Sequence, residues 1–278
     1  MANMKISKFG YLIRYLLFIL LFLFLCFPLY WTISTSFRET SEIQRTSVSI
    51  IQQTFTLEHY VEALTGVGLL NSIKNSLIVT SVTVLVTVVV GFLMGYAFSK
   101  LLFRGKKLMN SLILLTQFIP MVAYIIPLYL IMSQMHLLNT LWCLLITYIG
   151  CNFPMVVVLL TNYIRDVPDS LEEAAKIDGC NSFQAMFRII FPLARPGIIS
   201  TAIFAFISVW QEYLVAVSFI TKEEYRTVSV ALKSFVHSHG TDWGGMMAGA
   251  VLISIPAVIL FMCSKEGFAN NMAGGVKG

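Results

Sequence analysis

Charged side chains are scarce in this chain of 278 residues. Aspartate, glutamate, lysine and arginine make up 12% of it, about half the share that a soluble globular domain carries. Hydrophobic residues make up 57%, and the mean hydropathy is +0.80. These values exclude a water-soluble domain of ordinary composition, and we therefore expect an integral membrane protein.

Motifs of the common enzyme classes are also missing. No glycine-rich phosphate loop followed by Lys-Ser or Lys-Thr occurs, so the chain itself should neither bind nor hydrolyse ATP. The zinc-protease motif HExxH, the nucleophile motif GxSxG and a pair of intramembrane aspartates are absent as well. We therefore expect no catalytic residue and no resident cofactor.

Metal sites and disulfides are not indicated either. The five cysteines show no CxxC spacing, which argues against a zinc site and a disulfide framework. His237, His239 and Asp242 lie close together in the sequence, but nothing nearby supports them as ligands, and we interpret them as part of a solvated loop. We interpret His59 as a solvated surface residue for the same reason.

What the chain does have is long apolar segments. Six of them can cross roughly 30 Å of hydrocarbon. The first is too long for the apolar region of a signal peptide and lacks a small-x-small cleavage site, so we expect it to remain as a membrane anchor. We place the six spans near residues 11–34, 71–99, 108–132, 140–163, 197–220 and 244–264.

Glycines and prolines inside these spans predict local geometry. Gly91 and Gly95 have the GxxxG spacing, which permits another helix to approach closely. Pro120 and Pro127 should kink the third span, and Pro154 should break the fourth, because each removes a backbone hydrogen bond.

The distribution of basic residues predicts the orientation in the membrane. Of the 19 lysine and arginine residues, thirteen fall on the side that holds the N-terminus and six on the other side. The positive-inside rule then places both termini in the cytoplasm. We divide the chain into residues 1–70, an anchor helix and outer loop, residues 71–264, a core of five spans, and residues 265–278, a cytoplasmic tail.

A polar segment on the cytoplasmic side, residues 168–192, separates spans four and five. Asp169 or Ser170 can cap a first helix, with Glu172 or Glu173 three residues later completing a capping box. Gly179 suits a left-handed stop at its end.

A second helix should start directly afterwards. Asn181 can cap it, and Gln184 stands where its side chain can reach back to Asn181. We expect this helix to end at Pro192. Its apolar residues Phe183, Met186, Phe187 and Ile190 fall on roughly one face. A helix pair with exposed small and apolar residues gains nothing in water by itself, so we interpret it as a docking surface.

The same segment resembles a known family motif. Glu173-Ala174-Ala175, three further residues, Gly179, nine residues, Ile189, one residue and Phe191-Pro192 resemble the EAA loop of ABC importer permeases. Phe191 stands where the family usually has leucine. The glycine-rich end of the chain, residues 271–278, resembles the C-terminal tail of carbohydrate-uptake permeases of the maltose type.

The resemblance implies an all-α membrane protein with six transmembrane helices and the type I ABC importer permease fold. It implies a location in a bacterial or archaeal cytoplasmic membrane, where a homologous permease subunit, two ATPase subunits that bind ATP and Mg²⁺, and an extracytoplasmic sugar-binding protein would be the partners. The residues it assigns to ATPase coupling are Glu172, Glu173, Ala174, Ala175, Asp178, Gly179, Phe183, Phe187 and Pro192. In the tail it assigns contacts to Gly274, Gly275 and Lys277.

The fifth span carries the one ionisable residue well inside a predicted span, Glu212, within Trp210-Gln211-Glu212-Tyr213. A carboxylate there is costly and usually faces a protein interior or an aqueous cavity. The four residues resemble a Trp-Asn element of the permease family, with Gln211 in place of asparagine. They form a polar wall of the translocation pathway or a structural contact to the partner subunit. The alternative function is an ion-coupled secondary transporter that uses Glu212, although no inverted repeat is visible.

Overall fold

The computed structural model describes residues 8–45, 47, 49–237 and 240–274. Nearly all regular structure in this part of the chain is helical, as the sequence predicts, with one small β-hairpin. The helices are α1 Lys8–Ser36, α2 Thr40–Ile43, α3 Glu58–Thr65, α4 Leu69–Lys100, α5 Lys106–Thr116, α6 Met121–Gln134, α7 Leu141–Arg165, α8 Asp169–Ile177, α9 Ser182–Ala185, α10 Phe191–Trp210, α11 Leu214–Phe219, α12 Val228–Ala231 and α13 Trp243–Gly274.

The shorter elements are one π turn, two 3₁₀ turns and one hairpin in the described residues. A π-helical turn, Met186–Ile190, joins α9 to α10 without a break. Two 3₁₀ turns span Glu223–Tyr225 and Leu232–Phe235. The hairpin pairs β1, Val236–His237, with β2, Gly240–Thr241, in antiparallel orientation.

Five helices of the described chain are long and apolar enough to cross a membrane, and a bent pair of helices supplies a sixth candidate. Four of the five agree with the predicted spans to within a few residues; they lie at Tyr11–Ser36, Leu69–Lys100, Leu141–Arg165 and Trp243–Cys263. The number of spans is therefore confirmed when the bent pair is counted as one.

The third predicted span is not a single kinked helix. It consists of α5 and α6, which are bent by 96° relative to each other. Pro120 stands at the N-cap of α6 in an extended conformation, where its missing N–H costs no helical hydrogen bond. Pro127 lies inside α6, and the helix continues through it.

The boundaries predicted for the fifth span are wrong. The helix that starts at Ser182 does not end at Pro192 but continues to Trp210, a length of 29 residues. Pro192 falls in the first turn of α10, directly after the wider π turn, where a missing N–H is tolerated. The span then ends at Trp210 rather than near residue 220, and Gln211 begins a non-helical break.

The predicted break at Pro154 does not occur either. Pro154 lies inside α7, which is continuous from Leu141 to Arg165. No water competes for backbone groups inside a membrane, and neighbouring groups can satisfy the carbonyl that proline leaves free.

The described chain forms two compact units, and the first comprises residues up to Leu69 together with Leu232–Ser254. His59 lies in it and is buried at 4% exposure, so the prediction of a solvated histidine is wrong. Its Nε2 is 2.9 Å from the carbonyl oxygen of Arg38. The ring also lies so close to Gly244 that a Cβ there would be 2.2 Å from Nε2. Helix α3 is thereby held to the start of α13.

The second unit comprises Leu70–Ala231 and the rest of α13 from Ile255. Helix α7 is central to it, because both clusters of buried apolar residues include side chains of this helix. The predicted close approach at Gly91 and Gly95 is confirmed. A Cβ on Gly91 would be 2.8 Å from Cγ1 of Val156, and a Cβ on Gly95 would be 3.1 Å from the backbone nitrogen of Thr161.

Candidate functional site

Helix α8, the first helix of the polar segment, begins without the predicted side-chain cap. Pro168 occupies the N-cap position, and neither Asp169 nor Ser170 caps the helix. Asp169 instead pairs with Nζ of Lys100, at the end of α4, over 2.5 Å. The same ammonium group donates to the carbonyl of Val167. The hydrogen bond and positive charge of Lys100 hold the pKa of Asp169 below its ordinary value, which keeps this exposed carboxylate ionised.

Glu172 forms a second link between α8 and α4. Its side chain is buried, with 4% exposure, and its Oε1 accepts a 2.7 Å hydrogen bond from the hydroxyl of Tyr96. The same oxygen pairs with Nζ of Lys176 at 2.7 Å. A buried carboxylate needs such partners because desolvation otherwise disfavours its charge. Glu172 and the equally buried Ala175 therefore face the protein and not the solvent.

The turn between the two helices matches the prediction for Gly179. Its φ angle of 91° lies in the left-handed region, which L-residues rarely adopt. The N–H of Gly179 donates to the carbonyl of Lys176, and the N–H of Cys180 donates to that of Ala175. These bonds satisfy carbonyl groups at the end of α8 that would otherwise lack partners.

The predicted capping box at the start of the second helix is confirmed. Oδ1 of Asn181 accepts from the backbone N–H of Gln184 at 2.8 Å, and Oε1 of Gln184 accepts from the N–H of Asn181 at 3.0 Å. This reciprocal pair fixes the direction in which the chain leaves the turn.

Together these contacts hold residues 169–187, here called the docking segment, in one geometry. Its exposed surface combines acidic, small and aromatic side chains. Phe183 and Phe187 are 66% and 43% exposed and lie 4.8 Å apart between ring centroids. The aromatic row continues to Phe191, which packs edge-on against Phe92 of α4 at 5.5 Å. The predicted coupling residues that are exposed are Glu173, Ala174, Asp178, Gly179, Phe183, Phe187 and Pro192.

A second group of polar residues surrounds Glu212, in the break between α10 and α11. Oε2 of Glu212 accepts from the hydroxyl of Tyr148 at 2.6 Å and from the N–H of Ala216 at 3.2 Å. Oε1 accepts from the N–H of Val215 at 2.9 Å. The carboxylate thus caps the start of α11, where the helix dipole favours negative charge.

The other three residues of this element have different environments. Trp210 is buried and stacks on Phe206 at 5.4 Å, whereas Tyr213 is half-buried and packs against the core around α7. Gln211 is exposed. No sequence pattern points to Tyr148, because this partner of Glu212 lies 64 residues away on α7.

Some of the remaining predicted site residues lie outside the described residues. Gly274 is the last residue of α13, whereas Gly275 and Lys277 lie outside the described residues. His239 and the side chain of His237 also lie outside them. Asp242 caps the start of α13 by accepting from the N–H of Gly245 at 3.0 Å. Within the described ranges, no group of three histidine, cysteine, aspartate or glutamate side chains is arranged to hold a metal ion.

Two relatives match over essentially their whole length. The diacetylchitobiose uptake system permease protein of Streptomyces coelicolor is 34% identical over 99% of this chain and 100% of its own. The galactooligosaccharides transport system permease protein of Bacillus subtilis is 31% identical over 100% of both chains.

A solved structure of an ABC importer has a similar fold. One chain of a bacterial ABC transporter involved in the import of the acidic polysaccharide alginate superposes with a TM-score of 0.82, covering 96% of this chain and 99% of that one at 21% identity. The fold is therefore that of type I ABC importer permeases.

The sequence profile of the family described as "Binding-protein-dependent transport system inner membrane component" matches residues 87–273. This match contradicts the alternative hypothesis of an ion-coupled secondary transporter. Membership of the family implies an ATPase and a substrate-binding protein as partners. The chain belongs to this family and is a non-catalytic, multi-pass membrane subunit of an ABC importer.

Proposed function

We propose that this permease carries a sugar or oligosaccharide into the cytoplasm and is driven through the docking segment by separate ATPase subunits. The observation that carries the proposal is the construction of that segment. Two polar links, Tyr96–Glu172 and Lys100–Asp169, attach it to a membrane-spanning helix. Its opposite surface leaves Glu173, Phe183 and Phe187 free for contact.

The choice of a sugar is supported by the relatives. Their names concern diacetylchitobiose and galactooligosaccharides, both of which are short carbohydrate chains. Aromatic rings and amide groups recognise sugars by stacking and hydrogen bonding. Gln211 and Tyr213, which are accessible in the break after α10, are the residues that we propose for this role. In this proposal Glu212 positions them, because its own oxygens are already occupied by Tyr148 and the start of α11.

The arrangement that we propose follows the family. A homologous permease would pair with this chain, two ATPase subunits would bind beneath the pair, and a sugar-binding protein would deliver the substrate from outside. The excess of basic residues on the side of the N-terminus supports cytoplasmic termini and a cytoplasmic docking segment. The residues of the tail, including Gly274, Gly275 and Lys277, would reach the ATPase subunits.

The mechanism in this proposal is a switch between two states of the pathway. Closure of the ATPase pair around ATP would displace the docking segment, and the links through Tyr96 and Lys100 would pass the displacement to α4. The helix that begins at Ser182 would pass it to the break at Gln211. Exchange between inward-open and outward-open states would follow from this displacement of packed helices.

Gentle purification of a tagged chain from its native membrane tests the proposed assembly, with mass spectrometry identifying the proteins that co-purify. We expect a second permease and an ATPase with a phosphate-loop motif. Carbohydrates are then tested one by one for stimulation of ATPase activity in the reconstituted complex. Recovery of the chain alone, under conditions that keep a known ABC complex intact, would contradict the docking role. A complete complex stimulated only by a non-carbohydrate substrate would contradict the sugar assignment.

A further inference from the structure

A cavity of about 430 Å³ lies in the first compact unit, between the end of α1, the segment after α2 and the first turn of α13. Its lining includes Trp31, Thr35, Arg38, Arg45 and Trp243. We call it the tryptophan pocket. None of its lining residues belongs to the docking segment or to the group around Glu212.

One of the two arginines is already neutralised by a neighbouring carboxylate. Arg38 is 4% exposed, pairs with Glu42 at 3.5 Å and lies 4.8 Å above the ring of Trp31. Burial acts to raise the pKa of Glu42, but hydrogen bonds from Thr54 and Gln53 and the charge of Arg38 outweigh it and lower this pKa overall. Glu42 is therefore an ionised partner whose charge cancels that of Arg38.

The positive charge of Arg45 has no carboxylate partner among the described residues. Arg45 is exposed, and within the same residues its side chain makes one hydrogen bond, at 3.1 Å, to the neutral amide of Gln53. A guanidinium group has five N–H donors, so most of its donor capacity is left over. With two arginines and one glutamate in the lining, the pocket carries a net charge of +1.

The other polar groups of the pocket add hydrogen-bond donors. Thr35 is 6% exposed, and its hydroxyl has no hydrogen-bond partner in the part of the chain that the structure describes. A buried hydroxyl without a partner is costly, so a ligand that accepts a hydrogen bond from it would be favoured. Trp31 and Trp243 each contribute an indole N–H, which is a donor and never an acceptor. A ligand that accepts hydrogen bonds and carries negative charge fits this lining.

The position of the pocket indicates that the ligand also has an apolar part. The pocket lies at the last turns of α1, and among the described residues none in the most apolar stretch of this span is buried. Ile43 and Met247 add apolar side chains to the lining. Tryptophan at the end of a span is typical of the depth at which lipid headgroups meet hydrocarbon. Trp243 also opens α13, where the helix dipole is positive, although the Asp242 carboxylate caps this end.

We propose that the tryptophan pocket binds the phosphodiester headgroup of an anionic membrane phospholipid, with its acyl chains along the exposed face of α1. In this arrangement Arg45 and the hydroxyl of Thr35 contact the phosphate, and the two indoles frame it. The proposal depends on the membrane placement of α1 and α13 and is independent of the transported substrate.

Native mass spectrometry of the detergent-purified transporter tests the site, with phosphatidylglycerol and phosphatidylcholine titrated separately. We expect the wild-type protein to retain phosphatidylglycerol in preference to phosphatidylcholine. Arg45→Gln should weaken retention of phosphatidylglycerol about fivefold, the effect of removing one cation near a lipid headgroup. Thr35→Val should also weaken it, and this variant keeps the charge unchanged. Arg226→Gln is the control, because Arg226 is an arginine of another loop that pairs with Glu223 at 2.9 Å.

Equal retention of phosphatidylglycerol by the wild type, Arg45→Gln and Thr35→Val would overturn the proposal. Glycerol phosphate, added as a soluble competitor, separates the two sources of a phosphate group. We expect millimolar glycerol phosphate to leave the bound lipid in place. Its displacement of the lipid would instead assign the pocket to a soluble anion and contradict a lipid site. A transport assay is not needed for either result, so failure here leaves the proposed function unaffected.

Discussion

The hydroxyl of Tyr96 donates a 2.7 Å hydrogen bond to the buried carboxylate of Glu172, which lies 76 residues further along the chain. This contact joins a membrane-spanning helix to the docking segment. Glu172 is not available to a partner, because it is 4% exposed. If the docking segment couples to an ATPase as we propose, Glu172 acts by holding α8 in position and Glu173 acts by contact.

Removal of the Tyr96 hydroxyl tests this division of roles. We expect Tyr96→Phe to weaken the attachment of α8 by about 1.5–3 kcal/mol, the usual range for a hydrogen bond to a charged group. Amide hydrogen exchange in residues 170–177 should become faster, and substrate-stimulated ATPase activity of the complex should fall. Tyr163→Phe is the control, since Tyr163 is 36% exposed at the end of α7. Unchanged exchange in Tyr96→Phe would show that the hydrogen bond does not hold the helix.

Gly179 offers a test that separates backbone strain from loss of contact. A Cβ there meets nothing within 4 Å, so Gly179→Val should act through its φ angle of 91° alone, at about 1–2 kcal/mol or more. We expect this variant to reach the membrane but to lose substrate-stimulated ATPase activity.

Gly105 provides the matched control for that experiment. It has a φ angle of 87°, and a Cβ there also meets nothing within 4 Å, but it lies outside the docking segment, at the start of α5. Gly105→Val should therefore carry similar strain and keep stimulated activity. Equal loss of activity in the two variants would contradict a specific role for the turn at Gly179.

The pair formed by Tyr148 and Glu212 predicts a structural effect rather than a change in ion dependence. Glu212→Gln and Tyr148→Phe should each lower the thermal midpoint of the purified complex. The double variant should lose less than the sum, with a coupling of about 0.5–3 kcal/mol for residues in direct contact. Wild-type uptake should persist when the ion gradient is collapsed. Additive midpoint shifts would show that the two residues act independently.

The contact between α4 and α7 predicts a difference between two glycine-to-alanine variants. At Gly95 a Cβ would be 3.1 Å from the nitrogen of Thr161 and 3.2 Å from the carbonyl carbon of Leu160, both backbone atoms that cannot turn away. We expect Gly95→Ala to destabilise the helix pair by about 1–3 kcal/mol. Gly150→Ala, in α7 with open space around its Cβ, should be neutral or stabilising. Thermal denaturation of the two purified variants shows whether the close approach of α4 to α7 or the higher helix propensity of alanine dominates. Equal stability of the two variants would show that the helices can move apart at no cost.

The parts of this structure that were predictable from sequence depend on neighbours within a few residues. The capping box of Asn181 and Gln184 and the left-handed turn at Gly179 are such cases, because the partners are close along the chain and their geometry is local. The apolar spans were predictable for another reason, since the thickness of the bilayer fixes their length.

The errors arose where a distant residue decides the outcome. The local sequence predicts Asp169 as a cap of α8, but its carboxylate pairs with Lys100 of α4 instead. His59 looked like a surface residue because nothing near it in sequence indicates that it lies against Gly244 and the carbonyl of Arg38. Pro192 is a local exception: a proline by itself predicts a helix end, but the π turn directly before it places Pro192 where a missing N–H does no harm.

The uninterrupted helix from Ser182 to Trp210 has a mechanical consequence. At about 1.5 Å per residue it is about 43 Å long, which exceeds the thickness of the hydrocarbon core. One end carries the aromatic row of the docking segment, and the other stops at the break that begins with Gln211. The helix is continuous through the π turn and Pro192, so we expect a tilt or rotation imposed at Phe183 to reach Trp210. The first non-helical residues on that route follow Trp210, and the hydrogen bonds of Glu212 connect them to α7 and to the start of α11.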